Sequence, residues 1–360
     1  MGQDWLQRYW ETAGHVPEEV NLGGAHTGAL GNLLELALRL YLLTGTPGLG
    51  GVQKEMRKDL RDDRRRHAAL QLEVGGLAMR SGSTVALEHR SSKTVPPSDV
   101  LIQRGELALR VETFAIILDQ SSREGRAYWD RMTQAIMRIS RQFNVNVAGD
   151  LGGRLGEEDA AELLRLIEAA AQVVSEIGQE APVVFRETDL QVLPPGTNSF
   201  ELRGGVETSQ GWPRVEARLL QKAAQAGRAG GGWLRADLMD GTWQFTPWAR
   251  ASLHGKIDEI SRLVKPALAK VDGVAGAVLS SGACVAQGRF PGLSTRTADR
   301  CYGFIRSLPG HRVRETMIIP ATAAGRSEAD IWAELYNTED TWLDWGLSQV
   351  GLPACQQIFG

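Results

Sequence analysis

Glu73, Asp99 and Glu112 are the residues of this 360-residue chain whose types and spacing suggest chemistry. Twelve residues separate Asp99 from Glu112, and a hairpin whose turn lies midway brings two such carboxylates to one sheet edge. Paired carboxylates with a third acid from a helix can bind Mg²⁺, an ion that takes oxygen ligands and keeps several waters. Held there, the ion activates water and neutralises charge developing on a phosphodiester under attack. Asp99 and Glu112 are therefore the expected metal ligands, and Mg²⁺ the expected ion. Each acid also has a purely structural reading. Glu73, among Leu70, Leu72, Val74 and Leu77, suits the solvent face of an amphipathic helix. Asp99, after Pro97 and Ser98, suits a turn that bonds its own backbone. Glu112 suits an outward position on a half-buried strand.

The elements that must position these acids can be read from the pattern around them. Residues 52–80 contain no Pro, and RKDLRDDRRRH alternates charge before HAALQLEVGGLAM turns apolar, which predicts one long helix or two abutting ones. After Gly82 the spacing becomes extended. TVALEHR, DVLI and LALRVETFAIIL read as three strands, the last two forming a hairpin that turns at QRGE. Residues 122–143 return to helical spacing and NVNVAGD reads as a fourth strand. GEEDAAELLRLIEAAAQVVSEIG then predicts an amphipathic helix, with acids in its first turn where the helix dipole favours them.

LQLEVGGLAMRSGSTVALEHR, then PPSDVLI, then LALRVETF, resembles the αβββαβ core of the restriction-endonuclease-like, PD-(D/E)XK, superfamily over residues 67–150. The resemblance implies that Glu73 is the acid of the first core helix, that Asp99 opens the second strand, and that Glu112 is the acid of the third. Where that superfamily carries its Lys, this chain has Phe114, which cannot stabilise a charged phosphorane. The resemblance allows the Lys to come from another element, and Lys93 is the nearest by sequence. The implied activity is that of a metal-dependent nuclease, with slow or absent cleavage of DNA if no Lys reaches the site.

At residues 179–182 the pattern resets. The expected division is an N-terminal helical segment over 1–50, a restriction-endonuclease-like domain over 51–180, and a second α/β domain over 181–360 with a largely parallel sheet and a helical C-terminus. Arg214, Arg218 and Lys222 recur at i, i+4 and i+8, one helical stripe that suits contacts to DNA phosphates or a solvated face. Two other classes of function remain open. A protein-interaction module could use the tryptophans of the second half, Trp243, Trp248, Trp332, Trp342 and Trp345, and a small-molecule α/β enzyme could place its site near Ser280 to Ala283, after a buried strand.

Composition bounds these readings. A chain 42% hydrophobic and 23% charged folds as a globular protein, and a net charge of -3 provides no bulk positive field, so DNA binding is expected to be weak and local. Three cysteines, Cys284, Cys301 and Cys355, lack the spacing of a disulfide framework or a zinc site. The most apolar stretch, Ala29 to Leu43, contains Glu35 and Arg39 and falls short of the roughly 20 residues a membrane crossing needs. The first twenty residues lack an apolar signal core, so a cytoplasmic location without a membrane partner is expected.

Overall fold

The computed structural model describes residues 26–58, 62–89, 97–116, 120–196, 202–203, 212–238, 250–281, 284–285, 292–308, 312–355 and 357. Helices α1 (His26–Leu42), α2 (Leu49–Lys58) and α3 (Asp62–Arg80) precede strands β1 (Thr84–His89), β2 (Ser98–Arg104) and β3 (Leu107–Ile116). Next come α4 (Gln120–Phe143), β4 (Asn146–Asp150), α5 (Glu157–Ile177), β5 (Ala181–Phe185), β6 (Thr188–Leu193) and β7 (Leu202–Arg203). Then follow α6 (Trp212–Arg228), β8 (Gly232–Leu238), α7 (Arg250–Leu268), β9 (Val274–Ser281) and β10 (Cys284–Val285). The chain continues through β11 (Leu293–Arg296), β12 (Tyr302–Leu308), β13 (Arg312–Pro320), α8 (Ala323–Asn337) and α9 (Trp342–Gln349).

The protein is mixed α/β and divides into two compact units, one of residues 1–117 with 211–360 and one of residues 118–210. This division corrects the expected boundary at 179–182, which falls between α5 and β5 inside the second unit. The pattern reset there is the end of a helix, closed by Gly178 in the left-handed region at φ 73°. The halves expected to be separate domains share one sheet instead, because β3 pairs in parallel with β8 from Val111↔Trp233 to Ile116↔Leu238. The described part of the segment 1–50, residues 26–50, does not stand apart either, since its Leu36, Leu38 and Leu43 join the core around α3.

In the first unit the sheet runs β1-β2-β3-β8-β9-β13-β12-β11, with β10 on β13. Only the β3–β8 and β8–β9 pairs are parallel, and the others are antiparallel. The expectation of a largely parallel second sheet is thus corrected. Parallel neighbours need a crossover, which α6 and α7 supply, whereas β12 and β13 follow each other too closely for one. The helix and strand expected to complete an αβββαβ order, residues 122–143 and NVNVAGD, lie in the other unit, where β4 pairs with β6 and β7. The helix and strand that follow β3 in the larger unit are α6 and β8.

Helix α3 is the core helix of this unit, and every residue from Ala68 to Ala78 is buried. Such a helix needs cover on all sides. The sheet covers one side, and α1, α8 and α9 pack on the others through Leu38, Trp332, Tyr336 and Trp342. Gly76 makes this possible, because a Cβ there would stand 3.0 Å from the Trp342 ring. On the opposite face of the sheet, α6 and α7 bury Val215, Leu219, Ile257 and Val264 against Phe114, Ile116, Leu234 and Ala236. In the second unit, α4 and α5 pack on the sheet β5-β6-β4-β7 through Ile136, Leu163, Ile167, Val147 and Leu190.

No helix among the described residues is long and apolar enough to cross a membrane.

Candidate functional site

The β2–β3 hairpin turns at Gly105, where φ is 61°, and its ladder ends at Val100↔Val111. Asp99 and Glu112 occupy the next rung, where the strands part. The Asp99 side chain fills the gap, as its Oδ2 accepts from the Thr113 backbone N–H at 2.6 Å and from Thr113 Oγ1 at 3.1 Å. A third donor comes from α3, where His67 Nε2 lies 2.9 Å from the same oxygen. Among the described residues every hydrogen bond to Asp99 ends on Oδ2.

Glu112 is 2% exposed. Gln225 Nε2 of α6 donates to its Oε2 at 2.8 Å, and Lys222 Nζ donates to Gln225 Oε1 at 3.0 Å. Glu112 Oε1 is buried with no hydrogen-bond partner. Among the described residues the two acids therefore share a pattern, with one carboxylate oxygen hydrogen-bonded and the other without a partner.

The hairpin end and the facing helices enclose a cleft of about 320 Å³. Arg64 and His67 line it from α3, Arg218, Lys222 and Gln225 from α6, and Asp99, Thr113 and Phe114 from the strands. The α6 side follows from helical geometry. Val215, Leu219 and Ala223 form its buried stripe, and Arg214, Arg218 and Lys222 stand one residue earlier, a rotation of about 100° that sets them along the border of the packed face. Arg218 also donates to Gln221, and Arg214 has a partner of its own.

Protonation follows from this crowding. Burial opposes a charge on His67, but the hydrogen bonds and charges of Asp99 and Glu55 outweigh it and raise the imidazole to about 9. Burial also opposes a charge on Asp99, yet His67, Lys222 and the Thr113 N–H hold that carboxyl below its usual range. Glu112 goes the other way. Burial, then the neighbouring Asp99 charge, push it up to about 8, and Lys222 and His67 offset only part of this. A desolvated carboxylate with an orphaned oxygen, beside a second carboxylate, has the donor chemistry of a hard-cation ligand.

Glu73 does not join the other two acids. It points from α3 into the core, 3% exposed, with Oε1 on Arg235 Nη2 at 2.8 Å and Oε2 on Arg314 Nη1 at 2.9 Å. Burial alone would raise its carboxyl, but Arg314 and Arg235 hold it well below the usual range. The reading of Glu73 as a solvent-facing residue is corrected by the same contacts. What α3 brings to Asp99 is His67, a residue the sequence reading left aside. Its signal was its place where the charged run turns apolar, one turn before Gln71. Lys93 lies outside the described residues, as do Trp243, Trp248, Gly282 and Ala283. Among the described residues no group of three or more His, Cys, Asp or Glu is arranged to hold a metal ion.

The alternative sites are built differently. Ser280 is fully buried and its Oγ lies 2.7 Å from Thr316 Oγ1, while Ser281 Oγ accepts from the Glu315 N–H at 3.0 Å. These serines join strands. Trp332 and Trp342 are fully buried and Trp345 packs against them. A cavity of about 490 Å³ lies at the other end of β3, beside Arg110, Gly231, Trp233 and Glu328. Its charged groups are committed, since Arg110 donates to the Ala229 and Gly230 carbonyls and Glu328 accepts from Trp233 Nε1.

No protein-family model, no curated protein and no solved structure matches the chain.

Proposed function

We propose that the cleft is a divalent-cation-dependent phosphodiesterase site of the restriction-endonuclease-like type, acting on a nucleic-acid backbone. The observation that carries this reading is that Asp99 and Lys222, from β2 and α6, line one cleft, with Glu112 of β3 buried beside it on Gln225. The order α3, β1, β2, β3, α6, β8, with β8 parallel to β3, supports it, with residues 118–210 interrupting that order after β3.

Asp99 and Glu112 would hold Mg²⁺ through the oxygens not tied to the protein, the one or two carboxylates that this ion commonly takes. When bound, the ion supplies charge neutralisation and activation of water. Lys222 supplies the cation that position 114 lacks. Its ammonium rests on Gln225 and lines the cleft, where it stabilises charge growing on a phosphoryl oxygen. Arg64 and Arg218, on opposite walls, orient the diester. Burial and the Asp99 charge push Glu112 up to about 8, so a cation held there would displace a proton.

The test is cleavage of labelled single-stranded and duplex DNA and RNA by the purified chain with Mg²⁺ or Mn²⁺. Expected is slow, cation-dependent cleavage that falls by about 100-fold or more in both Asp99→Asn and Lys222→Ala, the scale of losing one electrostatic stabiliser. Cation-independent binding without cleavage would overturn the reading in favour of a non-enzymatic module. Cleavage untouched by Lys222→Ala would return the Lys role to Lys93.

A further inference from the structure

We propose that His67 is a positioning residue for Asp99, turning its second oxygen toward the cleft, and that Glu55 and Glu73 in turn fix His67. The inference rests on the cation-site reading above and assigns a role to a residue outside the acid pair. His67 has neither ring nitrogen to spare. Nε2 lies 2.9 Å from Asp99 Oδ2, and Nδ1 lies 3.4 Å from Glu55 Oε1 on α2. A ring held at both ends is a spacer, and it cannot accept a proton from a nucleophile in the cleft.

An aspartate with a free side chain rotates among several orientations. At Asp99, two donors on Thr113 catch Oδ2 from the strand side, and both belong to one residue, so they leave the carboxylate free to pivot about that point. A third donor from α3, on another element, stops the pivot. Oδ1 then has one direction left. This division of oxygens repeats at Glu112, where Gln225 holds Oε2. Outer residues of this kind are what orient metal ligands in proteins generally.

The position of His67 is itself fixed. Six residues along α3, Glu73 is pinned by Arg235 on β8 and Arg314 on β13. Those two ion pairs span the sheet, so α3 can neither slide nor roll without breaking a buried charge pair. The buried Glu73 thus contributes to the site at one remove.

The test compares His67→Ala with His67→Gln, since both remove the imidazolium charge and only Gln keeps an N–H donor at reach of Asp99. Mn²⁺ binding is followed by electron paramagnetic resonance, and a crystal structure of each variant gives the Asp99 side-chain orientation. Expected is Mn²⁺ affinity about tenfold weaker in His67→Ala than in His67→Gln, with Asp99 rotated off the Thr113 N–H only in the Ala variant. Loss of charge alone would move both variants together and toward tighter binding. Equal affinities with Asp99 unmoved in both would overturn the proposal. Should the unsubstituted chain take up no Mn²⁺, the cation reading fails, and the Asp99 orientation in the two crystal structures still decides the role of His67. Should His67→Ala not fold, Glu55→Gln replaces it, with a smaller loss expected and no loss overturning the proposal.

Discussion

His67 and Glu112 both hold protons more tightly in the folded protein than in an unfolded chain, His67 to about 9 and Glu112 to about 8. For each group the folded state binds the proton more strongly, so its contribution to stability is complete below the unfolded pKa and is lost as pH rises through the folded value. Thermal stability should therefore fall from about pH 4.5 to 8 through Glu112 and from about pH 6.5 to 9 through His67, by an amount on the order of a few kcal/mol in all. Asp99 has the opposite sign, and its contribution is lost only in acid, as pH falls through its depressed value. Unfolding temperature measured across that range checks this, and His67→Gln should flatten the upper part of the curve. A stability that rises from pH 6.5 to 9 would contradict the assignment. At this scale Asp99 and Glu112 were legible because a short hairpin turn fixes which residues share a rung. Glu73 was not, as its partners lie 162 and 241 residues away in the chain. No local pattern announces such partners.

Strand β3 shows why position 114 carries no lysine. Successive side chains alternate between α3 on one face and α6 on the other, and Phe114 falls among Val215, Leu219 and Leu234 at 2% exposure. An ammonium there would be desolvated among hydrocarbon, while α6 presents Lys222 at the border of the same patch. Phe114→Lys should therefore destabilise the protein, by about 3 kcal/mol or more in urea unfolding, and should not speed cleavage. A variant of unchanged stability would mean that the strand can repack. Glu73→Gln should cost about 3–5 kcal/mol, since it removes the buried negative charge between Arg235 and Arg314 and leaves only Arg314 paired with another carboxylate, Glu339. Most elements around the site were readable from periodicity, including the three strands and the helical stripe of Arg214, Arg218 and Lys222 that lies on α6. Their grouping was not, because residues 120–193 continue the alternation of helix and strand without a break in composition. Only pairing across the sheets separates β4 from β3.

For the whole molecule, on the reading proposed above, the net charge of -3 leaves any nucleic-acid contact to the cleft walls. With Arg64, Arg218 and Lys222 as the contacts, the logarithm of affinity should fall with the logarithm of salt at a slope of about -3, and Arg218→Ala should reduce its magnitude by about 1. Fluorescence anisotropy over a salt series measures both, and a slope near -8 would reveal a basic surface elsewhere. The placement of 118–210 also bears on how the protein comes into being. During synthesis, residues 26–116 emerge with the partners His67 and Asp99 already among them, while Gln225 lies 113 residues behind Glu112. Strand β3, buried along most of its length in the finished sheet, meets β8 only after the whole insertion has been made. Until then it is an open apolar edge on the ribosome, the kind of surface that recruits chaperones or aggregates. An insertion that folds early shortens the effective loop between β3 and α6, and so shortens the time that edge stays bare.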